Sequence, residues 1–285
     1  MRLIRFERLD APGDISWGQL TDETIFDIGR MPETPATCIL DAIAKWSELR
    51  PQWDQLVAHA PRITTEVRLL SPVPEPKKIL CIGLNYRDHA IESGMAIPTE
   101  PVVFNKLSGS VCGHDAIVPL PRVSQQVDYE AELVLVMGRR AWQVSEDHAS
   151  NYIFGYTVGH DVSARDWQLG RPGGQWLLGK SFPNFAPIGP ALVPREFIAD
   201  PCQLDISLRI NGETLQNSST RQLIFNPSQL VSHLSQCCVL EPGDIIFTGT
   251  PPGVGMARKP QRFVKSGDIC EIEIEGIGVL RNRFE

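Results

Sequence analysis

After residue 78 the chain is a succession of short apolar runs cut apart by Pro, Gly and Asn: ILCIGL, VVF, AELVLVM, YIFGYTVG, LDISLRINGETLQ, DIIFTG and DICEIEIEG. Runs of this length, rich in Val and Ile and bounded by turn residues, read as strands. No regular alternation with helix-length segments accompanies them, so a mixed α+β, mostly β core fits better than a doubly wound parallel sheet. The punctuation is dense, with 23 Pro and 23 Gly in 285 residues and no collagen-like or low-complexity period. Asn211-Gly212 between two alternating runs predicts a type I′ hairpin. Helix is expected only at 226–240 and in a short run after Asn85, which can cap it, with Gly94 ending it.

The N-terminal part has another texture. Residues 1 to about 30 alternate apolar pairs and turns, as a small strand meander does, and Ile39, Leu40, Ile43, Trp46 and Leu49 then recur at helical spacing. Trp53, Leu56 and Val57 continue that spacing beyond a break at Pro51, and SPVPEPKK at 71–78 is a stiff connector. The expected division is therefore a small α+β domain over 1–72 and a larger domain over 73–285.

Charge narrows the partners. With 34 Asp+Glu against 27 Lys+Arg the formal charge is -7, which disfavours nucleic acid and anionic membrane as partners. The opening MRLIRFERLD is too charged for a signal-peptide core, and no apolar run approaches the ~20 residues of a membrane span. Seven scattered cysteines, Cys38, Cys81, Cys112, Cys202, Cys237, Cys238 and Cys270, form no C-x-x-C pair and read as reduced, mostly buried thiols. The expectation is a cytoplasmic protein.

VDYEAELVLVMG, residues 127–138, carries the chemistry. As a strand it places Asp128, Glu130, Glu132, Val134 and Val136 on one face and Val127, Tyr129, Ala131, Leu133 and Leu135 on the other, so it reads as buried on both sides. Carboxylates two residues apart stand roughly 6–7 Å from one another. Their repulsion is about 2–3 kcal/mol per pair at an effective dielectric near 20. Such a cluster calls for a cation or protons, unless the face is partly solvated or ion-paired. DICEIEIEG is the internal control: Glu271, Glu273 and Glu275 share a face, the apolar Cys270, Ile272 and Ile274 the other, so these glutamates meet water. Asp161, ending the run YIFGYTVGH ahead of Ser163, Arg165, Asp166 and Gln168, adds a further carboxylate. Two glutamates and an aspartate make a hard oxygen site suited to Mg²⁺, Mn²⁺ or Ca²⁺ rather than Zn²⁺. Lys180 in WLLGKSF is a candidate counter-charge, or a lysine at a strand end reaching solvent.

Two further features stay open on spacing alone. His89 and Glu92 share a helix face and form either a surface ion pair or a dyad able to activate water. The loop TGTPPGVG, 248–255, lacks the Lys-Ser/Thr of a P-loop and loses donors at Pro251-Pro252, so it either closes on a small ligand through Thr248 or Thr250 or is a tight turn.

In order along the chain, CIGLNYRDHAIESG, EPVVFNK, VDYEAELVLVMG, GYTVGHDVSARDWQ, QWLLGKSF, APIGPALV, INGETLQNSSTRQLIF and LEPGDIIFTGTPPGVGMARKP resemble the fumarylacetoacetate hydrolase family from about residue 75 to the C-terminus. MRLIRF and QWLLGK are most similar to its domain-containing protein 2 branch. The resemblance implies a β-roll catalytic core behind a smaller N-terminal domain, and a homodimer. It implies that Glu130, Glu132 and Asp161 bind Mg²⁺ or Mn²⁺, that His89 and Glu92 form a lid dyad, and that Lys180 steadies a developing enolate. Arg165, Gln168 and Thr250 match substrate-contacting positions, and Asp128 stands behind them.

The implied activity is hydrolysis of a carbon–carbon bond in an acylpyruvate or related 2,4-dioxo acid, through a pyruvate enolate held by the metal. The alternatives are an oxaloacetate tautomerase or decarboxylase, or an isomerase or lyase of a related 2-oxo acid. One departure is Pro183-Asn184-Phe185, where the family commonly has Asp-Thr-Phe, which puts that loop's role in question.

Overall fold

The computed structural model describes residues 1–285 and is a mixed α+β protein dominated by strands. Its main sheet runs Arg62–Ile63, Thr24–Phe26, Ile15–Thr21, Arg2–Arg8, Ala186–Pro194, Ile153–His160, Ala131–Met137, Ile245–Phe247, Ile79–Gly83 and Val102–Lys106, with Val67–Leu70 and Val111–Cys112 paired off this path. A five-stranded sheet of Glu213–Ser219, Asp205–Ile210, Ile269–Ile274, Gly278–Phe284 and Ile117–Val118 packs beside it. The N-terminal meander therefore continues the main sheet, joined where Leu3 pairs with Leu192.

Ala131–Met137 is buried along its whole length, and its alternation explains the architecture. Ala131, Leu133, Leu135 and Met137 enter the larger core with Ile206, Leu208 and Ile272 of the second sheet. Val134 and Val136 enter a second core with Ile39, Leu49 and Trp53 from the N-terminal helices. The connector at 71–78 is not extended as expected but bends at Pro72, Val73, Glu75 and Lys77, with Glu75 at φ of 46°, and one sheet and one core run across it.

Asn211 and Gly212 adopt φ of 52° and 83° and turn Asp205–Ile210 into Glu213–Ser219, the predicted hairpin. The helix Pro227–Cys237 begins with a capping box between Asn226 and Gln229. Ile272 and Ile274 are buried while Glu273 and Glu275 are exposed, as the control strand required.

Several local expectations change. The run 127–138 is two strands, Val127–Asp128 and Ala131–Met137, broken at Tyr129-Glu130. Lys180 ends a short helix, Trp176–Lys180, rather than a strand, and Arg165–Gln168 is a further single turn. Neither is long enough to show a helical period. Asn85 does not cap Arg87–Glu92, whose N-cap is Tyr86. Cys38 and Cys237 are exposed, so the thiols are less uniformly buried than their surroundings suggested, and all seven are unpaired. No helix is long and apolar enough to cross a membrane.

Candidate active site

Antiparallel register brings the acidic residues together. Glu132 pairs with Gly159 and Ala131 with His160, and the Asp161 amide donates to the Glu130 carbonyl at 3.0 Å. Residues thirty apart in sequence thus meet at one strand end, where oxygens of Glu130, Glu132 and Asp161 lie within 4.8 Å of one another, all three residues buried. Glu132 shares its strand face with Val134 and Val136, so the trio begins where the apolar cover of that face stops.

Cations surround two of the three carboxylates. Lys180 Nζ donates to Glu130 Oε2 and Asp161 Oδ2, both at 2.7 Å. Arg165 donates from Nη2 to Glu130 Oε1 at 2.5 Å, from Nε to Asp128 Oδ2 at 2.8 Å and from Nη1 to Gln168 Oε1 at 2.9 Å. Lys106, which the sequence reading did not single out, has its Nζ 2.6 Å from Asp161 Oδ1, too oblique for a directed hydrogen bond, and donates to the carbonyls of Val162 and Lys180. Gly179 lets the two short helices touch, since a Cβ there would stand 2.7 Å from the Gln168 nitrogen.

Glu132 is the exception. Its Oε2 accepts only the Gly249 amide, at 2.7 Å, and Gly249 is free to aim that amide because it adopts φ of +99°. Burial, then repulsion from Asp161 and Glu130, pushes the Glu132 carboxyl well above the usual range. Glu130 shows the opposite balance: burial raises its pKa, but Arg165 and Lys180 outweigh that and hold it well below the ordinary value. Burial likewise opposes the charge of Lys180, and Asp161 and Glu130 overcome it, so Lys180 is raised. Lys106 is lowered, by burial first, with Asp161 opposing and Lys180 adding repulsion.

An all-oxygen trio with one carboxylate lacking a cation fits a divalent ion. Glu130, Glu132 and Asp161 would hold it.

The dyad faces the same space. In Arg87–Glu92 the Nδ1 of His89 lies 3.1 Å from Glu92 Oε2, and Glu92 also accepts the Gly253 amide at 3.0 Å, tying this helix to the loop at 248–255. A carboxylate only accepts, so Nδ1 carries the hydrogen, and in the neutral imidazole Nε2 is the ring nitrogen that keeps its lone pair. Asn85 clamps the same neighbourhood from beneath. Its Nδ2 donates to the carbonyls of Thr248 and Phe225, at 2.8 and 3.0 Å, and its Oδ1 accepts the Phe225 amide.

The two threonines of the loop separate. Thr248 is spent on the Leu133 carbonyl at 2.9 Å, whereas Thr250 reaches the cavity with Gln216 donating to its hydroxyl at 2.9 Å.

All the positions expected above, His89, Glu92, Lys180, Arg165, Gln168, Thr250, Glu130, Glu132 and Asp161, line one cavity of about 540 Å³. That lies within the ~300–1,000 Å³ usual for small-molecule sites. Phe104, Leu169 and Trp176 form its apolar wall. Pro183-Asn184-Phe185 does not reach it: Asn184 Nδ2 donates to the Ile117 carbonyl at 2.7 Å and Phe185 is buried in the core.

The model of the fumarylacetoacetate hydrolase C-terminal domain matches residues 78–285. A Xenopus laevis protein named oxaloacetate tautomerase fahd2, mitochondrial, is 41% identical over 287 residues, covering 99% of this chain and 89% of its own. That name places the relative in mitochondria, where the N-terminal composition here led to a cytoplasmic expectation. Fumarylacetoacetate hydrolase from Exiguobacterium antarcticum superposes with a TM-score of 0.87 at 34% identity, over 100% of this chain and 99% of its own. Maleylpyruvate hydrolase from a Sphingobium species, solved with manganese(II) and pyruvate, gives 0.80 at 27% identity, over 100% and 98%.

Proposed function

The chain belongs to the fumarylacetoacetate hydrolase family, and from that premise we propose that it is a divalent-metal-dependent tautomerase interconverting the enol and keto forms of oxaloacetate. The observation that carries the reading is an oriented His89 in the same cavity as the carboxylate trio and Lys180. The choice of tautomerisation over carbon–carbon hydrolysis, which the sequence reading put first, follows the relative similar over nearly the whole chain.

Mg²⁺ or Mn²⁺, with Ca²⁺ a third fit to the same oxygens, would be held by Glu130, Glu132 and Asp161 and supplies a Lewis acid that polarises a 2-oxo carbonyl. The chain's own groups do the rest. Lys180 spends two of its three donors on Glu130 and Asp161, leaving one for the C2 oxygen as negative charge gathers there. In enolisation His89 Nε2 takes a proton from C3, and Glu92 holds the imidazolium that forms. The C2 oxygen takes a proton from solvent to complete the enol; ketonisation gives that proton back to solvent and returns the proton on His89 to C3. Gln168 and Thr250 line the walls as hydrogen-bonding partners for substrate oxygens.

A second reading rests on the apolar wall of Phe104, Leu169 and Trp176, which suits the acyl group of an acylpyruvate. His89 would then take its proton from water, which attacks the 4-oxo carbon; the C3–C4 bond breaks, its electron pair passes into a pyruvate enolate, and protonation of that enolate at C3 leaves a carboxylic acid and pyruvate.

The test offers purified protein with Mg²⁺ or Mn²⁺ enol-oxaloacetate and an acylpyruvate in parallel, following ultraviolet loss of each enol and identifying products. Accelerated loss of enol-oxaloacetate without pyruvate is the expected result. Pyruvate released from the acylpyruvate favours the second reading, pyruvate from oxaloacetate indicates decarboxylation, and no acceleration of any of them refutes the proposal. We take a small 2-oxo acid as the partner at the site and a homodimer as the assembly, the latter measurable by light scattering.

A further inference from the structure

The cavity's cations are nearly all spoken for. At its buried end Glu130, Glu132 and Asp161 meet Arg165 and Lys180, with Asp128 and Lys106 paired to them from behind the wall. Arg165 is shared between two carboxylates, Lys180 between two, and Lys106 is held against Asp161 with no exposure. None of these charges is left for a substrate carboxylate beyond the one at the 2-oxo end. Lys259 lines the same cavity, is exposed, and has no carboxylate beside it.

The segment that presents Lys259 is fixed. Asp128 accepts the amides of Gly255 and Met256 at 2.7 and 3.1 Å, Arg262 donates its amide to the Gly255 carbonyl at 3.0 Å, and Gln261 Nε2 donates to the Met256 carbonyl at 3.0 Å. Arg258 is turned away, onto the Leu215 carbonyl at 3.0 Å. The aspartate that anchors Arg165 therefore also anchors the stretch that carries Lys259 along the cavity wall.

We infer that Lys259 determines specificity by binding a second carboxylate, at the end of the substrate opposite its 2-oxo group, so that the enzyme prefers 2-oxo diacids to 2-oxo monoacids. The inference rests on the 2-oxo acid reading above and names the substrate class within it. Lys259 donates a charge-assisted hydrogen bond at the cavity rim and takes no part in moving protons.

The test compares wild type with Lys259→Met, which keeps the apolar stem, Lys259→Arg and Lys259→Glu, in Mg²⁺-loaded protein with the enols of oxaloacetate and phenylpyruvate. The expected result for Lys259→Met is a KM for enol-oxaloacetate raised about tenfold relative to that for enol-phenylpyruvate, the effect of losing one such bond. Lys259→Arg restores the ratio and Lys259→Glu reverses the preference. An unchanged ratio in Lys259→Met overturns the inference and leaves the tautomerase reading standing. If wild type accelerates neither enol, that reading fails, and calorimetry with oxaloacetate and pyruvate decides the role of Lys259. A selective loss of oxaloacetate affinity in Lys259→Met upholds it; parallel affinities overturn it.

Discussion

Lys106→Met is the sharpest probe of the buried charge network. The lysine side chain is wholly buried, its ammonium 2.6 Å from Asp161 Oδ1, donating at 3.0 Å to the Val162 carbonyl and at 2.5 Å to that of Lys180. Methionine keeps much of the stem's volume and removes the charge and both donors, so the loss is electrostatic rather than a cavity. Removing one partner of a buried ion pair costs about 3–5 kcal/mol, because the other charge stays buried without compensation. Lys180 still faces Asp161 through Oδ2, which puts the expected loss at the lower end, about 3 kcal/mol. The assay is equilibrium urea denaturation in EDTA and then in Mg²⁺, extrapolated to water. Metal-free Lys106→Met is expected to lose that stability. Mg²⁺ is expected to restore more of it than it adds to wild type, since a ligand that binds only the folded state stabilises by RT ln(1 + [L]/Kd), and removing the ammonium beside Asp161 lowers the Kd for a cation. An unchanged metal-free midpoint refutes the reasoning, because Asp161 would then not depend on Lys106 for its charge.

Glu132→Ala is expected to abolish metal-dependent turnover and to weaken Mn²⁺ binding by calorimetry at least tenfold, while Glu273→Ala, an exposed residue paired with Arg209 at 2.9 Å, leaves both intact; equal effects would void the distinction between the two acidic strands. His89→Ala should cut kcat by about 10²–10⁴ with little change in metal affinity, and unchanged turnover removes the dyad from the chemistry. Asp268 accepts bonds from Arg262, the Lys265 amide and Asn211, each at 2.8 Å. Although burial opposes it, these partners hold its pKa below the usual carboxylate value. Its contribution to stability is therefore complete above the unfolded pKa of about 3.9 and is lost as pH falls through the lower folded value. Urea midpoints of Asp268→Asn at pH 7 and pH 3 should differ less than those of wild type, and parallel profiles would exclude the effect.

Much of this was legible where period and residue type agree. The two-faced burial of 131–137, the Asn211-Gly212 turn, the capped helix from Pro227 and the solvated Glu273 and Glu275 all express local rules. The carboxylate trio was legible as residue types but not as a place, because its assembly depends on the register of Glu132 against Gly159, which no local pattern records. Lys106 carried a signal that was passed over: EPVVFNK is an apolar run closing on a lysine, as WLLGK is around Lys180, and both ammonium groups reach Asp161. Asp128 was placed behind the ligands by resemblance, and the break at Tyr129-Glu130 shows why: it turns Asp128 onto Arg165 and the amides at 255–256.

The strand Ala131–Met137 also explains why the N-terminal residues matter to a site they do not touch. Its even-numbered side chains run from Glu132 through Val134 to Val136, and the last two are sealed by Trp53, Leu49 and their neighbours. A carboxylate at the edge of a water-free apolar layer is poorly solvated, so the charges of Glu130 and Asp161 act on Glu132 at low dielectric. The apolar cover thus sharpens the demand for a cation at one end of the strand while stabilising the other. The formal charge of -7 divides accordingly. Most of the excess is solvated, as at Glu273 and Glu275, whereas the buried share is nearly cancelled by Arg165, Lys180 and Lys106, leaving a deficit that a single divalent ion exceeds. With that ion in place the cavity's buried end becomes net positive, which is the sign that attracts the anion of a 2-oxo acid.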